Sequence, residues 1–246
     1  MPAKNPHAAT PPAAIAPEGA TEATAMAMPA AETCLDLGRA ARCGFPEVVY
    51  GEGKPTPTIL AIVRSLVAAG QPALVTRSSP EAAAALLAAF PEARYEPLAR
   101  CVRVSDHAAC RGRVGIVSAG TTDAAVAAEA RETAAWLGVA VDFFADVGVA
   151  GPQRLESVVP KLAEADAVVV VAGMEAALAS AVAGHLGCPV FAVPTSVGYG
   201  VSLGGLVALG GMLAGCAAHV AAVNIDAGFK GGFMAGLVAR RRHAEA

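Results

Sequence analysis

The sequence predicts an α/β protein whose larger, C-terminal part is a three-layer α/β/α domain built on a parallel sheet. Strand-like and helix-like segments alternate from Val114 onward, and such alternation implies right-handed crossovers between parallel strands. The strand segments are apolar without interruption, as in Ala167-Val168-Val169-Val170-Val171, which fits strands covered on both faces. Apolar residues make up 55% of the chain and charged residues 16%, so much of the Ala, Val and Gly must be hidden, in the sheet or between subunits.

In chain order, residues 1–32 are rich in Ala, Pro and Thr, lack periodicity and read as a disordered tail. Residues 33–110 read as a small N-terminal α/β domain. A short helix from about Leu35 ends at Gly44, and a strand at 47–50 leads into the turn Gly51-Glu52-Gly53-Lys54. Pro57 opens a helix whose apolar face is Ile59, Leu60, Ile62, Val63 and Leu66, closed by Gly70. A strand at 73–76, a helix from Pro80 through Phe90 and a strand at 101–104 follow. Arg111-Gly112-Arg113 is the joint to the third part, residues 111–246. Strands are predicted there at 114–118, 140–144, 167–171, 190–193 and 220–224. Helices are predicted near 123–137, 152–165, 175–186 and 203–217, with a last one after Phe229.

Composition excludes several function classes. A net charge of −3 offers no footprint for nucleic acid, and Arg240-Arg241-Arg242 reads as a solvated helix end. The six cysteines, at 34, 43, 101, 110, 188 and 216, form no CxxC pair and read as free thiols of a cytoplasmic protein. The first residues lack the apolar run of a signal peptide. Leu203 to Val223 approaches membrane-spanning length, but Gly204, Gly205, Gly210, Gly211 and Gly215 interrupt it. It reads instead as a helix at a subunit interface followed by a strand, in a homo-oligomer.

In a parallel sheet, ligands bind beyond the carboxyl ends of the strands. The first predicted strand of the large domain ends in Ser118-Ala119-Gly120-Thr121-Thr122-Asp123, and the third in Ala172-Gly173-Met174-Glu175. The fourth ends in Pro194-Thr195-Ser196-Val197-Gly198-Tyr199-Gly200-Val201-Ser202-Leu203-Gly204-Gly205, and the fifth in Asp226-Ala227-Gly228. Glycines admit a phosphate to the backbone, hydroxyls add hydrogen bonds, and each loop enters a helix N-terminus that favours an anion. The candidate binding residues are therefore Ser118, Gly120, Thr121, Thr122, Gly173, Met174, Pro194, Thr195, Ser196, Gly198, Tyr199, Gly200, Ser202, Gly204 and Gly205. Taken singly, each loop is equally a βα turn in which Thr121 or Thr122 caps and Asp123 serves the dipole. The length of the fourth loop argues for function. No Walker loop or GxGxxG fingerprint is present. Asp123 and Glu175 are candidates for proton transfer or metal binding. Cys216 is either a packing thiol or a nucleophile beside His219.

At these residues the chain resembles a known family. Ser118 to the C-terminus resembles the flavodoxin-like fold of PurE, the carboxylase of aminoimidazole ribonucleotide. Residues 35–241 resemble more closely the LarB family, the pyridinium-3,5-biscarboxylic acid mononucleotide synthases of nickel-pincer cofactor biosynthesis. The motifs are Gly44-Phe45-Pro46-Glu47-Val48-Val49-Tyr50-Gly51-Glu52-Gly53-Lys54, Ala119-Gly120-Thr121-Thr122-Asp123, Gly173-Met174-Glu175, Val193 to Gly200, and Asn224-Ile225-Asp226-Ala227-Gly228-Phe229. PurE-like chains carry Ser-Ala-His-Arg after the second strand; here Ala145-Asp146-Val147-Gly148-Val149-Ala150-Gly151 has no His. Departures from the LarB pattern are Thr122 for Ser, Ala176 and Ala179 where Gly and Pro are common, and an altered Lys54-Pro55-Thr56.

The resemblance implies C5 carboxylation of the pyridinium ring of nicotinic acid adenine dinucleotide, with hydrolysis of its phosphoanhydride to release AMP. Carbon dioxide or bicarbonate is the co-substrate, and there is no organic cofactor. The Cys216 thiolate adds to the ring, and Glu175 or Asp123 acts as base, poised by partial burial. Magnesium is the implied ion, with Asp123 or Asp226 as candidate ligands, and the assembly is an octamer. The competing readings are an aminoimidazole ribonucleotide carboxylase or mutase and a non-catalytic nucleotide-binding module.

Overall fold

The computed structural model describes residues 34–244; the tail expected over residues 1–32 lies outside them. The chain forms two sheets. In the N-terminal unit, α1 (Arg39–Cys43) stops at Gly44, whose φ of 82° suits glycine. The strands β1 (Val49–Tyr50), β2 (Ala73–Thr76), β3 (Arg94–Glu96) and β4 (Cys101–Val104) form a sheet of order β1-β2-β4-β3, with β1 and β2 parallel and the other pairs antiparallel. One face is covered by α2 (Thr56–Ala68) and α3 (Pro80–Ala89), which bury Ile59, Val63, Leu66 and Leu86 against Val75, Val102 and Val104. The edge strand β3 has no apolar run to betray it; Arg-Tyr-Glu is extended because β4 offers it a ladder.

The second sheet, fully parallel, consists of β5 (Arg113–Ser118), β6 (Ala140–Phe144), β7 (Ala167–Ala172), β8 (Val190–Pro194) and β9 (Val220–Ala222), in the order β6-β5-β7-β8-β9. It is an α/β/α sandwich. Val168, Val170 and Ala172 of β7 face α5 (Pro152–Leu162), α6 (Ala177–Ala183) and α7 (Leu206–Ala214). Ala167, Val169 and Val171 face α4 (Ala124–Trp136) and α8 (Gly228–Arg242). The period-two switch of faces explains why β7 must be apolar at every position. Helices α4 and α8 approach closely because Gly228, Gly232 and Gly236 present one side-chain-free stripe; a Cβ on Gly232 would collide with the Ala130 carbonyl oxygen.

The outer face of the N-terminal sheet packs on this same helix pair. Leu74, Ala99 and Cys101 meet Ala128, Trp136, Leu137 and Phe233, and the Phe45 and Phe233 rings lie edge to face at 4.3 Å. The α4/α8 layer is thus buried between two sheets, which accounts for the run of buried alanines in α4.

Three expectations are corrected. The helix expected over 203–217 begins at Leu206 and ends at Ala214, because Leu203, Gly204 and Gly205 take φ of 48°, 63° and 96° and belong to a 3-10 segment, Gly200–Gly205. The helix expected over 175–186 starts at Ala177, since Ala176 is left-handed at φ 59°. The last strand is shorter than 220–224. No helix of the described residues is long and apolar enough to cross a membrane.

Candidate active site

The first loop of the five-stranded sheet is organised by a buried carboxylate. Asp123 is 3% exposed; its Oδ2 accepts the Gly120 N–H at 2.9 Å, and its Oδ1 accepts the Thr195 hydroxyl at 2.7 Å. Asp123 therefore closes its own turn and clamps the first loop to the fourth. Neither Thr121 nor Thr122 supplies a side-chain cap; both are exposed. The third loop leaves β7 through Gly173, where a Cβ would stand 2.7 Å from Thr195 Oγ1 and also meet the Val197 carbonyl. Only glycine permits that approach of loops three and four. Met174 and Ala176 then take φ of 54° and 59°, conformations costly for side-chain-bearing residues and common at ligand sites.

These loops enclose a cavity of about 240 Å³ at the carboxyl edge. Of the predicted residues, Gly120, Thr122, Asp123, Gly173, Met174 and Glu175 line it. So do Gly148, Val149 and Ala150 of the second loop, which the sequence reading passed over once it found no His there. The signal was available: this loop also leaves a strand's carboxyl end and carries Gly148 and Gly151. Arg154 stands behind it, tied to Asp146 at 3.1 Å. Glu175 is exposed in the single protomer, so the expected poising of this carboxylate by burial is absent for it.

The fourth loop contributes only Val197 to the cavity. Pro194 and Thr195 are buried beneath it, and Ser196 is held by its N–H donating to Asp226 Oδ1 at 2.8 Å. Gly198, Gly200, Gly204 and Gly205 all have positive φ, and they turn Tyr199 and Val201 outward, each 81% exposed. Two buried hydroxyls at this edge, Ser118 Oγ and Ser202 Oγ, have no partner among the described residues. Such groups are ordinarily satisfied by water or ligand.

Cys216 is not brought to this edge of its own protomer. It follows α7, which leaves the carboxyl edge and runs back along the sheet for about 13 Å at 1.5 Å per residue. Val220, four residues on, pairs with Val190, the first residue of β8, so Cys216 lies near the amino edge. The thiol is exposed, not a packing residue. Before it, Ala208 and Met212 are buried, but several apolar side chains are bare: Leu203 is 65%, Leu206 57% and Leu213 68% exposed. All four histidines of the described residues are also at the amino edge. His185 and His219 precede β8 and β9, His243 meets Asp166 at 3.1 Å just before β7, and His107 packs on Trp136 at the end of α4.

The described residues form no ready-made all-protein cage for a divalent ion. Among the described residues no three His, Cys, Asp or Glu side chains converge. Asp123 and Asp226, the carboxylates expected as ligands, each spend an oxygen on the fourth loop, Asp123 on the Thr195 hydroxyl and Asp226 on the Ser196 N–H.

A second feature joins the two units beside this edge. Arg77, at the carboxyl end of β2, donates from Nη2 to the Asp226 carbonyl at 2.7 Å, and its Nε lies 3.7 Å from Glu129 Oε1. Glu129 Oε2 accepts the Phe229 N–H at 3.1 Å, at the start of α8. Burial pushes the Glu129 carboxyl above its ordinary range, opposed by that N–H and by Arg77.

The comparisons with known proteins agree with this architecture. The model of the LarB/PurE-like N-terminal domain matches residues 29–106, and that of AIR carboxylase matches residues 113–245. An uncharacterized protein of Methanocaldococcus jannaschii is 37% identical over 220 residues, covering 85% of this chain and 84% of that protein. A crystal structure of a PurE2 variant from Treponema denticola superposes with a TM-score of 0.42 at 20% identity, covering 54% of this chain and 79% of that one. With the first model on its small unit and the second on its five-stranded sheet, the chain belongs to the AIR carboxylase family in its LarB form.

Proposed function

We propose that this carboxylase-family chain carboxylates the pyridinium ring of nicotinic acid adenine dinucleotide at C5 and hydrolyses the phosphoanhydride. The products are pyridinium-3,5-biscarboxylic acid mononucleotide and AMP. The observation that carries the reading is the chemistry of the carboxyl-edge cavity: it offers two carboxylates, Asp123 and Glu175, and no imidazole. Proton removal at a ring carbon then falls to a carboxylate, and the histidine-dependent aminoimidazole reaction lacks its group.

A pyridinium ring is electron-poor, and its C5 does not attack carbon dioxide unaided. When a thiolate adds to an adjacent ring carbon, the ring nitrogen accepts the electron pair, and the resulting enamine is nucleophilic at C5. C5 then forms its bond to carbon dioxide. A base takes the C5 proton, the C–S electrons leave with sulfur, and aromaticity returns. Glu175, exposed to the cavity, is the base in this reading, and Asp123 is the clamp that holds loops one and four. Within one protomer Cys216 stands at the wrong edge, so the thiol comes from a neighbouring copy. The exposed apolar side chains of Tyr199, Val201, Leu203, Leu206 and Leu213 support such association, because exposed apolar patches of this kind mark interfaces.

The test is incubation of the protein with nicotinic acid adenine dinucleotide, bicarbonate and magnesium, followed by mass spectrometry. AMP and a dicarboxylated mononucleotide are expected in equal amounts. Carboxylation of aminoimidazole ribonucleotide instead, or no product from either substrate, would overturn the assignment.

A further inference from the structure

The carboxyl-edge cavity lacks something that a nucleotide needs. Its lining holds no Lys or Arg, and two of its side chains are carboxylates. A phosphate placed there would meet carboxylates with no cation in the lining to offset them. The missing cations stand at the seam between the two units. Tyr50 ends β1, Arg77 follows β2 and Arg100 precedes antiparallel β4, so all three share one sheet edge. Lys54 is held over them by its Nζ donating to the Tyr50 carbonyl at 2.8 Å. Lys54 Nζ and the Arg77 guanidinium each lie 5.8 Å from the centre of the half-exposed Tyr50 ring. Arg77 and Arg100 border a cavity of about 170 Å³ whose remaining wall includes Leu98, Val126, Glu129 and Asp226. Asp226 belongs to the fifth loop and holds Ser196 of the fourth, so this cavity adjoins the carboxyl edge.

What fills the anion's place now is Glu52. Its two oxygens lie 3.5 Å from Arg77 and 3.6 Å from Arg100. Those distances exceed the roughly 2.7–2.9 Å of a charge-assisted hydrogen bond. The Glu52 side chain is 46% exposed, against 7% for Glu129. A carboxylate that bridges two guanidinium groups at long range, with its Oε2 also accepting the Tyr50 hydroxyl at 2.7 Å, on a glycine-flanked turn, is an internal stand-in for an anionic ligand.

We propose that this seam is the phosphate subsite of the nucleotide ligand, in which Arg77, Arg100 and Lys54 take the phosphate and Glu52 swings away. The subsite rests on the nucleotide reading above for its ligand class. It gives the N-terminal unit a task, since that unit supplies every cation of the subsite. The Gly51-Glu52-Gly53-Lys54 turn is then a gate for charge: Gly53, at φ 74°, lets the turn reverse, and a Cβ on Gly51 would press within 3.0 Å of the Thr76 carbonyl.

The test is calorimetric titration of AMP into the full-length protein and three variants. Arg100→Ala is expected to weaken AMP binding at least tenfold and Lys54→Ala about threefold, while Glu52→Gln tightens it several-fold by removing the competing anion. Only a ligand-facing role yields tightening in the last variant. Equal affinity in wild type and all three variants, or no AMP binding by the wild type, overturns the subsite. Should Arg100→Ala fail to fold, the exposed Lys54 and Glu52 variants decide the matter alone. AMP binding requires no turnover, so the expected pattern without carboxylation retires the reaction and keeps the subsite. Carboxylation with an unchanged dinucleotide KM in Glu52→Gln and Lys54→Ala does the reverse.

Discussion

The two edges of the five-stranded sheet are made differently. At the carboxyl edge lie strained backbone, glycines pressed against neighbouring loops, a buried clamping carboxylate and hydroxyls without partners. At the amino edge the side chains are the reactive kinds: four imidazoles and the Cys188 and Cys216 thiols. The carboxyl-edge cavity has no thiol in its lining, and Cys216 stands at the opposite edge. In the proposed reaction a single protomer is half of a site, and a second copy covering the exposed apolar side chains along α7 would complete it.

The largest expected effect breaks or secures that contrast. Cys216→Ser should lower turnover by about a thousandfold or more, because oxygen is the poorer nucleophile and leaving group here. Its stability should change by less than about 0.5 kcal/mol, because the side chain is exposed. Glu175→Gln should slow turnover while retaining dinucleotide binding. Mixing the two inactive variants, unfolding them and refolding them together should restore part of the activity, since some sites then receive Glu175 from one copy and Cys216 from another. Absence of recovery in chromatographically verified mixed oligomers would mean that both residues act within one chain.

The second effect concerns the clamp. Asp123→Ala strands the buried Thr195 hydroxyl and the Gly120 N–H, each costing about 1–3 kcal/mol when unsatisfied. A loss of about 3 kcal/mol in urea denaturation is expected, with faster amide exchange in loops one and four. A loss below 1 kcal/mol would show that the loops hold without the carboxylate.

These contrasts were only partly legible in the sequence. The parallel sheet was, because strands buried on both faces must be apolar at every position, as β7 is. So were Gly120, Asp123, Gly173 and Glu175, which follow strand ends directly. The placement of Cys216 was derivable but not drawn, since a crossover helix returns the chain to the amino edge. The outward turn of the fourth loop was not legible. It depends on Leu203 and on Gly205, which sits where a Cβ would meet the Thr195 carbonyl at 2.7 Å. Nor was the seam, since Arg77 and Asp226 meet across 149 positions of chain. Strand β3 gave no pattern at all.

At the amino edge, His107 offers a smaller test. Burial holds its pKa down to about 4, with Arg240 adding to the effect. The folded state then keeps this imidazole neutral while the unfolded chain protonates near its ordinary 6.5. Stability contributed by the neutral ring is present above pH 6.5 and lost as pH falls toward 4. The limiting slope for one proton is about 1.4 kcal/mol per pH unit, and solvent screening of the partly exposed ring narrows the pH span over which it holds. Glu129, with a raised carboxyl, acts in the opposite sense, so the wild type must be compared with a variant. His107→Phe keeps a ring against Trp136 and should flatten the acid limb between pH 6.5 and 4 in chemical denaturation. Identical limbs would mean that the imidazole protonates in place.

The smallest effect returns to the strained edge. Ala176 holds φ 59° where the resembling family commonly has Gly, so the alanine bears a left-handed conformation that costs roughly 1–2 kcal/mol. Ala176→Gly relieves that cost, but it frees the unfolded chain and removes a methyl that is 4% exposed. The net gain in stability should be below about 1 kcal/mol. The sharper reading is in the neighbours. If the strain at Met174 and Ala176 aims Glu175 at the cavity, relaxing it should let the carboxylate wander, lowering kcat more than it raises KM. If kcat is unchanged while stability rises, the alanine is merely tolerated there, and the geometry of Glu175 is fixed instead by the contact of the Gly211 helix face with its carbonyl.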